Sequence, residues 1–282
     1  MSYGRATLHY AQLRTRRDFV LGAAMFSLAA VLPPGLAAQQ GGSHLSSGDD
    51  LQLAVIPKDT RLKFNPDGSR RKFAGNTVIC HLPQQSRIHD AVTAIGDSLR
   101  SSSFAPKLGV LPSDSYHATI LGGVNDLDRN ESEWPKDIPI KTPIAECNRI
   151  IGQRFAKFKI QEELPIRFRL DTGKTLAPQL ASGLQLAPAD SIEKLKLSRL
   201  RDRLADEVFL YRAKNHATFG FHISLAYQMS GFTSEERREY QNILQRHLPI
   251  IVAAAPVIEL GVPEFCTFED MYRFEVRTLL RT

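Results

Sequence analysis

Two short segments of the chain carry one polar pattern. Residues 116–121 read YHATIL and residues 221–226 read FHISLA. In each, an aromatic residue precedes His, and a hydroxyl residue follows the His by two positions within an apolar run. In a β-strand, residues i and i+2 share a face. His117 and Thr119 are therefore expected on one face of a strand, and His222 and Ser224 on one face of another. Tyr116, Ala118 and Ile120 fall on the opposite face of the first, and Phe221, Ile223, Leu225 and Tyr227 on that of the second. Those apolar faces can pack beneath helices, which leaves the polar faces to line something else.

Were the two strands neighbours, two imidazoles and two hydroxyls would converge on one cleft, a set that suits a phosphodiester. Imidazole titrates near ~6.5, so one ring can be neutral and the other protonated near neutral pH. The neutral ring takes a proton from an attacking water or hydroxyl, and the protonated ring gives one to the leaving oxygen. Each positioned transfer is typically worth ~10² to 10⁴ in rate. Thr119 and Ser224 can donate hydrogen bonds to non-bridging phosphate oxygens. The scheme calls for no metal and no cofactor, and none is expected.

Other candidates are weaker. HATF at residues 216–219 loosely repeats the pattern, but six extended residues would set His216 ~20 Å from His222. His222 is therefore preferred. His81 and His89 are expected to be structural or solvated, and His44 solvated in a linker. His247, beside Arg246, is expected near a helix end, where it can interact with terminal carbonyls. Tyr116 and Tyr227 are expected to face the core, because their parity opposes that of the histidines. Trp134, in a polar loop, could stack on a base or plug the packing. SRRK at residues 69–72 is expected to be a solvated turn, though it could help hold phosphate, and Lys107 could face the cleft.

The elements that must position these residues follow from periodicity. TVICHL at residues 77–82 reads as a strand. Ile88, Val92, Ile95 and Leu99 mark one face of a helix over residues 86–99. Strands are expected at residues 107–111, 116–121, 165–171, 183–188 and 219–227, with a helix over residues 144–158. Asp190 or Ser191 can cap a helix running to about residue 211, and Thr233 or Ser234 another with Glu235 and Glu236 in its first turn. The remainder, IVAAAPVIELGV, FCTF and MYRFEVRTLL, is expected to be β-structure with a hairpin turn around Glu269 and Asp270. Amphipathic strands favour antiparallel pairing with helices on one side, an α+β class.

At the N-terminus, RTRRDFVLG at residues 14–22 is followed by an apolar stretch to Leu32 and by small residues Ala37 and Ala38. The order of basic, apolar and small segments predicts a signal peptide over residues 1–38, too short to span ~30 Å of hydrocarbon. It resembles a twin-arginine signal, which implies a transient encounter with that export machinery and a periplasmic location. A Gly/Ser-rich linker is expected over residues 39–60 and the functional domain over residues 61–282. Without residues 1–38, which hold four arginines and one aspartate, the formal charge falls from +6 to +3, too weak to argue for nucleic acid from charge alone. Three cysteines, Cys80, Cys147 and Cys266, give no disulfide framework and no zinc motif. Buried free thiols are expected, although one bridge would be possible in an oxidising compartment.

HATI and HISL resemble the paired His-x-Ser/Thr-apolar motifs of the two-histidine (2H) phosphoesterase superfamily. GNTVI at residues 75–79 and FHISLAY are similar to an uncharacterised branch of it. The resemblance runs from about residue 60 to the C-terminus. It implies two similar lobes of mainly antiparallel sheet, related by a pseudo-twofold axis, with helices outside and a cleft between them. It also implies activity on phosphodiesters of RNA ends, 2′,3′-cyclic phosphates or small nucleotides, with His117 and His222 as acid and base. A ligase or cyclase direction on the same groups is a rival, as is a protein that binds a nucleotide or RNA end without turnover. A metal-binding periplasmic protein is a third reading.

Overall fold

The computed structural model describes residue 56, residues 58–177 and residues 182–280. The expected signal peptide and most of the expected linker lie outside the described residues. The end of that linker stretch is helical, as α1 (Lys58–Lys63). The chain continues through β1 (Gly75–His81), α2 (Arg87–Arg100), β2 (Leu108–Val110), β3 (His117–Asn125), α3 (Ile144–Lys157) and β4 (Ile166–Leu170). Then come α4 (Thr172–Leu176), β5 (Ser182–Pro188), α5 (Ser191–Arg203), β6 (Phe221–Gln228), α6 (Ser234–Ala254), β7 (Ile258–Leu260), β8 (Glu264–Phe268) and β9 (Glu275–Leu279).

All nine strands join one sheet, in the order β7-β4-β5-β6-β3-β1-β8-β9, with β2 also paired to β6. Every pairing is antiparallel. The expected two lobes are the two halves of this sheet. Each half brings one histidine strand to the middle: β3 lies beside β1, from which α2 and β2 separate it in the chain, and β6 lies beside β5, from which α5 separates it. Between the two histidine strands the contact is narrow, a single bridge pairing Ala118 with Ile223, while β2 pairs with β6 further along. A polar hollow can form there without breaking the hydrogen-bonded ladder elsewhere.

Local chemistry sets the helices. Ser86 caps α2 by accepting from the His89 amide, and Ile88, Val92, Ile95 and Leu99 are buried along one side. Thr233 and Glu236 form a capping box at the start of α6, which satisfies two otherwise orphaned amides. α3 packs on β1, β3, β8 and β9, α5 on β3, β4 and β5, and α2 lies along α6.

Three expectations fail here for identifiable reasons. IVAAA, read as β-structure, continues α6 through Pro249. A proline inside a helix costs ~3 kcal/mol, but Leu248 and Ile251 are buried on the same face as Ile243 and Leu244, and burial of each such side chain returns roughly 1.5–3 kcal/mol. His247 is consequently not at a helix end; its Nε2 pairs with Ser98 Oγ at 2.9 Å, linking α6 to α2. The helix expected to run from Ser191 to about residue 211 changes to π-helical turns over Leu204–Phe209 and stops at Leu210 in the left-handed region, φ 56°.

Trp134 is the packing plug of its two readings: it is buried and its Nε1 donates to the Ile138 carbonyl at 2.8 Å. All three cysteines are free and buried.

Candidate active site

The Ala118–Ile223 bridge fixes the geometry. In an antiparallel pair, stepping one residue along one strand steps one back along the other. His117 therefore lies opposite Ser224, and Thr119 opposite His222. The four side chains share the face that Ala118 and Ile223 do not, and the two imidazoles sit on a diagonal. Such diagonal neighbours are ~7–8 Å apart between Cα atoms, a spacing that leaves room for one phosphate between two ring nitrogens. All four line one cleft of about 350 Å³.

The rings are held alike. Nδ1 of His117 lies 2.7 Å from the Ser115 carbonyl, and Nδ1 of His222 lies 3.2 Å from the Gly220 carbonyl, each two residues upstream. A carbonyl only accepts, so each Nδ1 carries a proton, and each neutral ring keeps its lone pair on Nε2. One local backbone device thus fixes the tautomer at both sites.

Burial weakens the charged form of both rings. It holds His117 down to about 4, with further depression from the charges of His81, His222 and Lys63, against a smaller opposing effect of the Ser115 carbonyl. Burial also lowers His222, and the Lys63 ammonium adds to it. At neutral pH burial therefore favours two neutral imidazoles, rather than the expected neutral and protonated pair.

A bulge overturns one parity argument. Gly183 pairs with Ser224 but Ser182 pairs with Ala226, so Leu225 is an extra residue on β6. The bulge reverses the alternation beyond it, and Tyr227, expected to face the core, lines the cleft. Tyr116 does face the core and is fully buried.

The other sequence candidates sit elsewhere. His216 lies in a 3₁₀ turn, His216–Thr218, with Nε2 2.9 Å from Asp202 Oδ1. His81 pairs through Nδ1 with the Glu264 carboxylate, close to Cys266. His89 Nε2 lies 3.2 Å from the Ser113 carbonyl. Lys107 turns to Glu236 at 2.6 Å. In the SRRK turn, Arg70 pairs with Asp270 at 3.2 Å and Arg71 donates to the Arg61 carbonyl at 2.9 Å.

Two residues that line the cleft, Lys63 and Phe274, and one that braces its strands, Arg201, had no sequence signal. Lys63, at the end of α1, lies at the very start of the stretch read as the functional domain. Phe274 lies between β8 and β9 and presses on His117, with ring centroids 4.3 Å apart. Arg201 of α5 is buried, donates to the Ile120 carbonyl on β3 and at 3.0 Å to the His216 carbonyl, and lies over the Phe219 ring at 4.2 Å. It ties the strand of His117 to the loop that leads into the strand of His222. Within α5 it reads as one more basic surface residue; only the tertiary fold shows otherwise.

An antiparallel α+β sheet with paired His-x-hydroxyl strands facing one cleft is the arrangement that the resemblance to two-histidine phosphoesterases implies. Residues 63–178 match the family model 2H-phosphodiest, described as a domain of unknown function (DUF1868). This stretch, which includes β3 and the first motif, is matched as a 2H-phosphodiesterase-type domain. The second motif strand lies beyond the matched residues. There the likeness is carried by the fold: the crystal structure of a conserved protein of unknown function, ATU0111 from Agrobacterium tumefaciens str. C58, is similar with TM-score 0.73 and 28% identity, over 83% of this chain and 99% of that one. No curated protein matches the sequence.

Proposed function

We propose that this protein hydrolyses a phosphodiester of the 2′,3′-cyclic type, in a nucleotide or at an RNA end, by acid–base catalysis between His117 and His222. The observation that carries the reading is the seam register, which sets both imidazoles and both hydroxyls on one face of one cleft. The phosphodiester anion, once bound, favours protonation of an adjacent imidazole, because opposite charge within ~4–6 Å raises its pKa. Substrate arrival thereby converts the doubly neutral pair into the singly protonated one that catalysis needs.

In the reaction, water attacks phosphorus as the neutral Nε2 takes its proton. A P–O bond to water forms and the P–O bond to one ribose oxygen breaks. The protonated ring gives its proton to that oxygen, which leaves as a hydroxyl. Thr119 and Ser224 hold the non-bridging oxygens. The site residues alone supply every proton, so we expect no metal requirement. We also place the activity outside the cytoplasm, on the strength of the twin-arginine-like segment within residues 1–38.

Purified protein is expected to open a 2′,3′-cyclic nucleotide to a phosphomonoester in excess chelator, and both His117→Ala and His222→Ala to abolish the product. Binding without product in the parent protein would instead mark a binding protein.

A further inference from the structure

The quartet leaves one electrostatic demand unmet. A phosphodiester carries one negative charge, and attack by water adds a second to the non-bridging oxygens. Two hydroxyl dipoles and a single shared proton answer only part of it, whereas a fixed cation in a water-poor cleft counts for far more than in bulk water. Among the described residues lining the cleft there is one Lys or Arg, and it is Lys63.

Its setting is specific. Nζ donates to the Tyr227 hydroxyl at 3.3 Å and lies 5.0 Å from the centroid of that ring and 5.6 Å from that of Phe73. Tyr227 reaches this position through the Leu225 bulge on the strand of His222. The ammonium is felt by both His117 and His222. The family-matched region also begins at Lys63.

We propose that Lys63 is a third catalytic residue, which binds a non-bridging oxygen of the substrate phosphodiester and stabilises the charge that builds on it during attack. This rests on the phosphodiesterase reading above. It gives α1 a function: to deliver a cation from outside the sheet to the cleft.

The test uses the full chain with 2′,3′-cyclic nucleotide as substrate, comparing Lys63→Met and Lys63→Arg, with thermal melts to confirm folding. Loss of a transition-state donor typically costs ~10² to 10³ in kcat. Lys63→Met is therefore expected to lower kcat/KM on that order, and Lys63→Arg to retain most of the rate. A second readout separates catalysis from packing. Removing the cation relieves a depression shared by both rings, so the pH optimum of kcat/KM should move to higher pH in Lys63→Met and stay in place in Lys63→Arg. An active parent with Lys63→Met within threefold of it, or with an unmoved optimum, overturns the role of Lys63 and leaves the phosphodiesterase reading standing. An inactive parent overturns both.

Discussion

On β3, the His117 ring meets Phe274 at 4.3 Å and a second imidazole, His81, at 6.1 Å. On β6, His222 is governed by burial and by Lys63. Five residues after each histidine the two strands diverge again: Gly122 follows His117 and Tyr227 follows His222, and both line the cleft. The backbone devices are shared, down to the carbonyl two residues upstream of each ring. The surroundings are not. A pseudo-twofold frame thus supplies matched proton carriers, and unmatched neighbours can give them different tasks.

The largest expected effect exploits that difference. His117 is the harder ring to charge, because an apolar wall and a neighbouring imidazole add to its burial; this suits the base. We therefore propose His222 as the acid. On a cyclic nucleotide each Ala variant should lose at least ~10³ in kcat/KM, since each removes a proton transfer worth up to ~10⁴. A nucleotide p-nitrophenyl ester, whose leaving group needs no proton, should separate them: His222→Ala recovers most of its activity there and His117→Ala does not. Recovery by His117→Ala alone would reverse the assignment, and recovery by neither would return the two sites to equivalence. Both rings are depressed below the ordinary imidazole value. The singly protonated pair therefore peaks below pH ~6.5, and kcat/KM of the parent should rise as pH falls towards that range.

A smaller effect is expected from the hydroxyls. Thr119 lies opposite His222 and Ser224 opposite His117, so each serves the phosphate from the side of the other strand's ring. Thr119→Val and Ser224→Ala should each lower kcat/KM by roughly 100-fold, the low end of what one oxyanion donor supplies, with little change in melting temperature. Unequal losses would show which non-bridging oxygen carries more charge, and would sharpen the comparison between strands.

How far the sequence discloses all this depends on the range of the interactions. The i, i+2 placement of His117 with Thr119, and of His222 with Ser224, is local and strictly periodic, so it reads directly. The capped helix α2 and the apolar-striped helix α3 read equally well. The seam register does not, since Ala118 and Ile223 stand 105 residues apart and only the folded sheet pairs them. Nor does Leu225: a bulge inserts one residue into a regular alternation and leaves no mark in composition, yet it brings Tyr227 into the cleft. Pro249 misleads in the opposite direction, because its local cost is visible and the burial that offsets it is not. Lys63 and Arg201 depend wholly on tertiary placement.

The smallest effect probes the pair Gly122 and Tyr227. An added Cβ at Gly122 would meet nothing within 4 Å, so this side of the cleft is open where the Tyr227 side is walled. A cleft open on one side admits a chain that continues past the reactive phosphate, whereas a closed one takes only a terminal nucleotide. Gly122→Tyr makes the two sides alike without a predictable clash at Cβ. It should leave kcat/KM for a cyclic mononucleotide within about threefold, a shift of ~0.6 kcal/mol at 1.4 kcal/mol per tenfold. For an oligonucleotide ending in a cyclic phosphate the fall should be larger, because the new ring occupies the path of the next residue. Equal falls on both substrates would mean that the substrate chain leaves by another route, and the asymmetry between the strands would then concern proton transfer alone.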